Sequence, residues 1–464
     1  MAARTDLRSK TGIFAVALVG ALLVGLWLGS VLEREPKLPF FMIGGLGFLL
    51  VLGRRPRLVL SCLIPVLALE VGVTGTLTLK VAIAGAVGLV WIVGLVTSRW
   101  RVNLVGHGLL AAVALLLAAS LYTSGGSDFP SRQSDWYGLA AGIVLCAAAM
   151  SIGLIPIVLL RTTAYGIGLI ALAYEVGALG ETDTTVWGSR ASALGLNPNY
   201  LGVVFASGLI ASVALLSRRG RGREAPIALV SGSFCTAVLF ATQSRGALVV
   251  AATGVAVILV SVVRSRAIVG ALIGGLVIVV LVTPTARTDI RDAALGDRDT
   301  TDFTVSDTLR GEAVSLALRY TTAHPLDGIG YGLFPTRSVQ DGDRHLVLNT
   351  HNDYLRLSTE AGIPALLAFL LLLLPAFRRR NLRALDVGLR ALLLAQVVSL
   401  VTGNYLSNLQ VSGPLWLILG FLWWRTRPAV ADEAGSTDEL VTHTSRSAAP
   451  RHDGPRTSDA TART

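Results

Sequence analysis

The chain has 464 residues, 53% of them hydrophobic and 15% charged, with a mean hydropathy of +0.64 and a formal net charge of +11. Apolar runs this many and this long exceed what a soluble core takes up, so the composition excludes an ordinary soluble domain and points to an all-α polytopic membrane protein. The basic balance does not imply nucleic acid, because the arginines cluster between apolar runs rather than on a soluble face. Cys62, Cys146 and Cys235 lie inside such runs, where a thiol behaves as a small hydrophobe, at spacings that suggest neither a disulfide nor a zinc site.

Met1 to Lys10 is basic and leads into a run of spanning length without a small-residue cleavage pattern, which reads as a retained helix. Apolar runs fall at roughly 12–32, 38–53, 58–73, 79–97, 104–122, 137–160, 162–179, 200–216, 226–241, 246–263, 267–284, 363–377, 386–403 and 411–424. That is about fourteen spans, or twelve to thirteen if the short second and third runs or the lone Arg161 between the sixth and seventh do not mark separate crossings. Every second connection is short and basic: Arg54 to Arg57, Arg99 to Arg101, Arg161, Arg218 to Arg223, Arg264 to Arg266, Arg378 to Arg380, and Arg425 with Arg427. The positive-inside rule places these connections, and both termini, in the cytoplasm.

The remaining connections then lie outside: 122–136, 180–199, 242–245 and, above all, 285–352. The last carries ten acidic residues against seven arginines, a net charge of −3 that suits a non-cytoplasmic face. It has structure signals of its own. Ser306 to Tyr320 is amphipathic, with Leu309, Val314, Leu316, Ala317 and Tyr320 on its apolar side, and the turn-rich His324-Pro-Leu-Asp-Gly328-Ile-Gly330-Tyr-Gly332 follows. We read a folded lid. The expected organisation is an N-terminal bundle over 1–284, the outer loop over 285–352, an interfacial helix with the last spans over 353–427, and a tail over 428–464. That tail, rich in Ser, Thr, Ala, Arg and Asp without periodicity, reads as a disordered cytoplasmic extension.

One polar stretch ends where the chain re-enters hydrocarbon: His345 to Pro364, with His351 and Asn352 at its centre. Thr350 followed by Asp353 predicts a capping-box helix start, which would put His351 and Asn352 in the first turn. Gly362 and Pro364 should break that helix, leaving 353–361 along the membrane surface and a separate span beyond. The plainer reading of His351 is a helix-terminal polar residue at a loop end.

Three arginines face the same side. Arg190 precedes the turn signal Asn197-Pro198-Asn199, which caps a helix from about Tyr200. Arg245, in Gln243-Ser-Arg-Gly246, is forced to the rim of the bundle, where it is either a snorkelling span-end residue or the partner of an anion. Arg310 lies on the polar side of the lid helix, where the plainer reading is a solvated surface charge. Guanidinium forks match phosphate oxygens, so these arginines with a histidine make a site for an anion at a lipid surface, and a diphosphate-linked lipid fits it best. A histidine titrating near neutrality could deprotonate an acceptor hydroxyl in the same cleft, which gives glycosyl transfer. No metal-ligand spacing or Asp-rich phosphate-metal motif appears on this face, so arginines would do what a divalent ion does elsewhere, and no cofactor is called for.

In order, Arg190 to Asn199, Gln243 to Gly246, Arg310 with His324 to Gly332, and His351-Asn352 to Gly362 resemble the O-antigen ligase and polymerase superfamily of bacterial membrane glycosyltransferases. The resemblance spans about Asn197 to Phe377, with Arg190 just upstream. The family's pattern of His-Asn, nine residues and Gly falls on His351, Asn352 and Gly362; its arginine with Leu four residues on falls on Arg190 and Leu194. Ala365 stands where the family often has Gly, Thr or Tyr, which bears on the subgroup. The resemblance implies a C-type glycosyltransferase-like helical fold and a polyprenyl-diphosphate-linked glycan donor. It also implies a hydroxyl-bearing lipid or glycan acceptor and transfer on the outer face of the cytoplasmic membrane. His351 would then be catalytic, with Arg190, Arg245 and Arg310 on the pyrophosphate and Asn352, Gly362 and Asn197 in support. A ligase and a polymerase would share this site and differ in acceptor. A lipid-linked glycan transporter or flippase is the alternative from another class; it should show mid-span charges or paired broken helices, whereas Glu70, Glu175 and Lys80 lie near run ends.

Overall fold

The structure is a computed structural model and describes residues 38–69, 72–74, 77–123, 129–178, 191–218, 224–262, 300–342, 346–378 and 385–426. Arg190, His345, the runs expected at 12–32 and 267–284, and the tail from 428 lie outside these residues.

The helices are α1 (Leu38–Arg54), α2 (Pro56–Ser61), α3 (Leu63–Ala68), α4 (Leu79–Val96), α5 (Leu104–Thr123), α6 (Phe129–Ile152), α7 (Pro156–Glu175), α8 (Pro198–Ser217), α9 (Glu224–Ala241), α10 (Arg245–Val262), α11 (Thr300–Ala323), α12 (Phe334–Asp341), α13 (Asp353–Phe377), α14 (Val387–Thr402) and α15 (Leu409–Arg425). A two-stranded antiparallel ladder, β1 (Gly72–Thr74) with β2 (Leu77–Thr78), precedes α4. Apart from that ladder the chain is the expected all-α polytopic membrane protein: among the described residues, eight helices are long and apolar enough to cross a membrane.

Helix α8 is apolar all round and is the hub, packing on α7, α9, α10 and α14. Small residues let other helices close in. Gly142 of α6 lies under the Trp416 indole of α15, and Gly420 of α15 lies on the Cys146 carbonyl of α6. Helix α13 packs on α5 and on α11.

Two boundaries differ from the hydropathy reading. The run at 58–73 is two short helices that meet at Cys62; they pass from Arg57 to Ala68, whose carbonyl accepts from Gln410 Nε2 at the far end. The break between the sixth and seventh runs falls at 153–155, where Gly153 takes φ +83° and Pro156 starts α7, so Arg161 sits inside a helix rather than in a connection.

The connections alternate between two ends of the bundle, as the arginine spacing predicts. At the basic end, Arg57 Nε donates to Ile152 O (2.9 Å) and Arg99 Nη1 to Gly53 O (3.0 Å), while Arg161 pairs with Glu224 and Arg218 with Asp386. At the other end, Ala191 N donates to Ala241 O, Gln410 Nε2 to Leu194 O, Tyr200 Oη to Asn404 O and Tyr331 N to Ser120 Oγ. The connections expected outside therefore meet at one end.

Of the expected lid, the described residues 300–342 and 346–352 pack together, and α11 is longer than the periodicity predicts. Ala313, Leu316 and Ala317 form a small core with Ile329, Phe334 and Leu348; Val314, expected on that face, is instead exposed.

Candidate functional site

The stretch around His351 folds differently from the capping-box expectation. Asn352, not Thr350, caps α13: its Oδ1 accepts from Tyr354 N (3.0 Å) and Leu355 N (3.1 Å). Helix starts therefore do not place His351 in a first turn; it stands before the cap with φ +48°, in the left-handed region. A non-glycine residue there costs about 1–2 kcal/mol, so surrounding bonds must hold it. Thr350 Oγ1 donates to Asn404 Oδ1 (2.8 Å), and Asn352 N donates to the same oxygen (3.1 Å). Burial, and after it the charge of Arg310, lowers the His351 pKa below its ordinary value, so the imidazole is neutral at neutral pH.

The helix break is built from two glycines. Gly362 has φ +85° within α13, and Gly328 has φ +64° in the lid turn. A Cβ at Gly328 would run into the Glu360 carbonyl, and one at Gly362 into the Leu326 carbonyl, so each position needs both the conformation and the space. The backbone groups released by the break are met by the lid: Ile329 N donates to Thr359 O (3.0 Å) and Gly330 N to Glu360 O (2.8 Å), while Ile363 N donates to Pro325 O (2.8 Å). The turn-rich Gly328-Ile-Gly-Tyr-Gly332 is thus the lid's anchor on α13. The segment 353–361, expected along the membrane surface, is covered by protein: Asp353 and Arg356 to Gly362 are buried.

That segment carries a charge network the sequence reading missed. Arg356 is 4% exposed and Glu360 1%. Arg356 Nε bonds Glu360 Oε2 (2.8 Å), its Nη2 bonds Asp135 Oδ2 (2.6 Å), its Nη1 bonds Ser407 Oγ (3.0 Å), and its guanidinium lies over the Tyr331 ring at 4.5 Å. Glu360 also accepts from Gly332 N (2.9 Å) and Phe334 N (3.1 Å), so one carboxylate joins lid and helix. Asp353, fully buried, accepts from Tyr405 N (2.5 Å) and Leu406 N (3.0 Å). The available signal was Arg356 and Glu360 four apart in a helix that runs straight into hydrocarbon. The 403–408 turn gave no comparable signal.

Arg245 is exposed at the first turn of α10, whose Gly246 packs against Thr402 beside that turn. Arg310 is exposed on α11, and its charge acts on both His351 and Tyr405, whose phenol is pushed up to about 12 chiefly by burial. Asn197 caps α8 as expected, its Oδ1 accepting from Tyr200 N (3.1 Å). Strain gathers here: of the four described non-glycine residues with positive φ, Leu194, Gln243 and His351 lie in three of the motif stretches, and Ser98 alone lies at the basic end.

No curated protein and no solved structure matches the chain. Residues 227–370, from α9 through the lid and the broken helix α13, match the family model described as O-antigen ligase. That match supports an assignment of this part of the chain to the O-antigen ligase and polymerase superfamily, whose members are membrane glycosyltransferase-like enzymes.

Proposed function

We propose that the chain transfers a glycan from a polyprenyl-diphosphate carrier to the hydroxyl of a lipid or other acceptor, at the outer face of the cytoplasmic membrane. The observation that carries this reading is a neutral His351 held in a strained backbone beside Arg310, at the end of the bundle that also presents Arg245.

His351 takes the proton of the acceptor hydroxyl while that oxygen bonds to the anomeric carbon. The bond from that carbon to the diphosphate oxygen breaks, and the polyprenyl diphosphate leaves with its new negative charge held by guanidinium groups. Arg245 and Arg310, with Arg190 as the third expected partner, fill that role; each charge-assisted contact contributes about 1.5–3 kcal/mol. The imidazolium then releases its proton to water. Asn352 and Gly362 support the reaction by fixing where α13 starts and breaks, and Asn197 by capping α8. The arginines supply the positive charge themselves, so the reaction as drawn needs no divalent ion or cofactor.

The test is transfer by purified protein in lipid, with a diphosphate-linked polyprenyl glycan and two acceptors offered separately: a lipid hydroxyl and a second carrier-linked glycan. Product on the lipid, persisting with a chelator present, is expected. Product only on the second carrier would make the chain a polymerase, and carrier translocation without bond formation would overturn the reading. In intact cells, Asp297→Cys should react with an impermeant thiol reagent and Arg221→Cys should not; the reverse would overturn the side assigned to the site.

A further inference from the structure

Two short segments far apart in sequence, 350–353 and 404–406, are latched to each other in both directions. In one direction the Asn404 side chain accepts from Thr350 Oγ1 (2.8 Å) and from Asn352 N (3.1 Å), the residues immediately before and after His351. In the other, the Asp353 carboxylate accepts from Tyr405 N (2.5 Å) and Leu406 N (3.0 Å). Asn404 is itself pinned, since its carbonyl accepts from Tyr200 Oη (2.8 Å) and the residue is only 9% exposed. A backbone N–H can only donate, so the contact with Asn352 N fixes which Asn404 atom is the oxygen.

We propose that Asn404 is a positioning residue for His351: by gripping the chain on both sides of the histidine, it holds the left-handed backbone that aims the imidazole at the acceptor. This rests on the role proposed for His351. The grip falls on the neighbours of the strained residue and leaves the ring free, which is the arrangement a base needs and a merely packed histidine does not. A single acceptor oxygen serves two donors, so its loss frees Thr350 and Asn352 together. His351 can then relax to negative φ, which turns its side chain away from where the folded site holds it.

The chain tests this through kcat, KM and pH profile. Asn404→Ala should lower kcat by roughly tenfold to a hundredfold with the donor KM within about twofold, because a base displaced by about an ångström costs that much while the arginines still hold the diphosphate. Asn404→Asp keeps an acceptor oxygen in place and should recover most of the kcat at its own optimum. The charge that bears on His351 is that of Arg310 from α11, and the nearest carboxylate along the chain is the fully buried Asp353; the variant adds a carboxylate beside them. Its acid limb should therefore move to higher pH, by about one unit. This variant decides the matter if Asn404→Ala does not fold.

An Asn404→Ala enzyme with kcat within twofold of the parent, or an Asn404→Asp enzyme as impaired as Asn404→Ala with an unmoved acid limb, overturns the positioning role. His351→Ala is measured alongside. If it is inactive while Asn404→Ala is normal, only this inference falls; if it turns over normally, the base role falls and takes the inference with it.

Discussion

The two ends of the bundle use arginine in opposite ways. At the basic end Arg218 meets Asp386 with the side chains 43% and 27% exposed, and Arg57 and Arg99 finish helix carbonyls. These contacts are open to water and worth little each, and they close helix ends rather than build a site. At the site end Arg356 is 5% exposed at its side chain and touches two carboxylates, a hydroxyl and a ring face. A charge buried that deeply is tolerated only while every partner is present, so it makes the end of α13 and the lid one unit. Arg245 and Arg310 are a third case, exposed cations at the same end as the strained histidine.

The comparison breaks first at Glu360. Glu360→Ala removes the buried salt-bridge partner of Arg356, leaving it the half-exposed Asp135 as a bridging carboxylate, and removes the acceptor of Gly332 N and Phe334 N. The expected loss is about 3–5 kcal/mol, read as a large fall in the thermal midpoint of the detergent-purified protein. A midpoint within about 2 °C of the parent would show that the lid is held by its apolar core instead.

His351→Ala should lower transfer by about 10²–10⁴-fold, the usual contribution of a positioned base, while the protein inserts and melts normally. His324→Ala should be milder, since that residue is exposed before Pro325. The imidazole must be neutral to act, and its pKa lies below the ordinary histidine value for reasons of burial first and Arg310 second. Activity should thus fall only as pH drops through a value below the ordinary histidine pKa, and Arg310→Gln should shift the fall to higher pH. An acid limb at or above the ordinary histidine value in the parent would remove His351 from the proton transfer.

What the sequence revealed, and what it did not, follows from range. Hydropathy and arginine spacing are local signals, and they placed α4, α5, α8, α9 and α10 and sorted their connections to two ends. Gly362 announced the break in α13 because a glycine before a proline is itself a local signal. The capping-box reading failed because Thr350 is claimed by Asn404, and nothing near residue 350 encodes a partner in the turn between α14 and α15. The same long range hid the Arg356, Asp135 and Ser407 cluster, and left Arg356 looking like a membrane-surface charge. Run length misled at Arg161, where a positive-φ glycine and a proline set the boundary that the charge seemed to mark.

Arg245→Lys separates shape from charge at the exposed cations. If the planar fork grips the diphosphate, lysine keeps the charge and loses one of two contacts, so transfer should fall about tenfold, which corresponds to roughly 1.4 kcal/mol. Insertion should not change, and carrier-linked glycan should build up in cells. Normal yield at matched expression would return the diphosphate to Arg190 and Arg310.

The smallest effect belongs to the basic end. Arg218→Ala removes a water-exposed partner of Asp386 from the end of α8, and Asp386 keeps its separate task of capping α14 through Gly388 N (2.9 Å). An exposed pair of this kind contributes about 0–1 kcal/mol, so the thermal midpoint should move by no more than a few degrees. Transfer should equal that of the parent, because the substitution lies at the opposite end from His351 and touches no part of the 404–406 latch. The measurement that matters is therefore activity rather than stability. A loss of transfer in Arg218→Ala at unchanged expression and midpoint would mean that the two ends are coupled through α8 and α14, and the division of labour drawn between them would have to be given up.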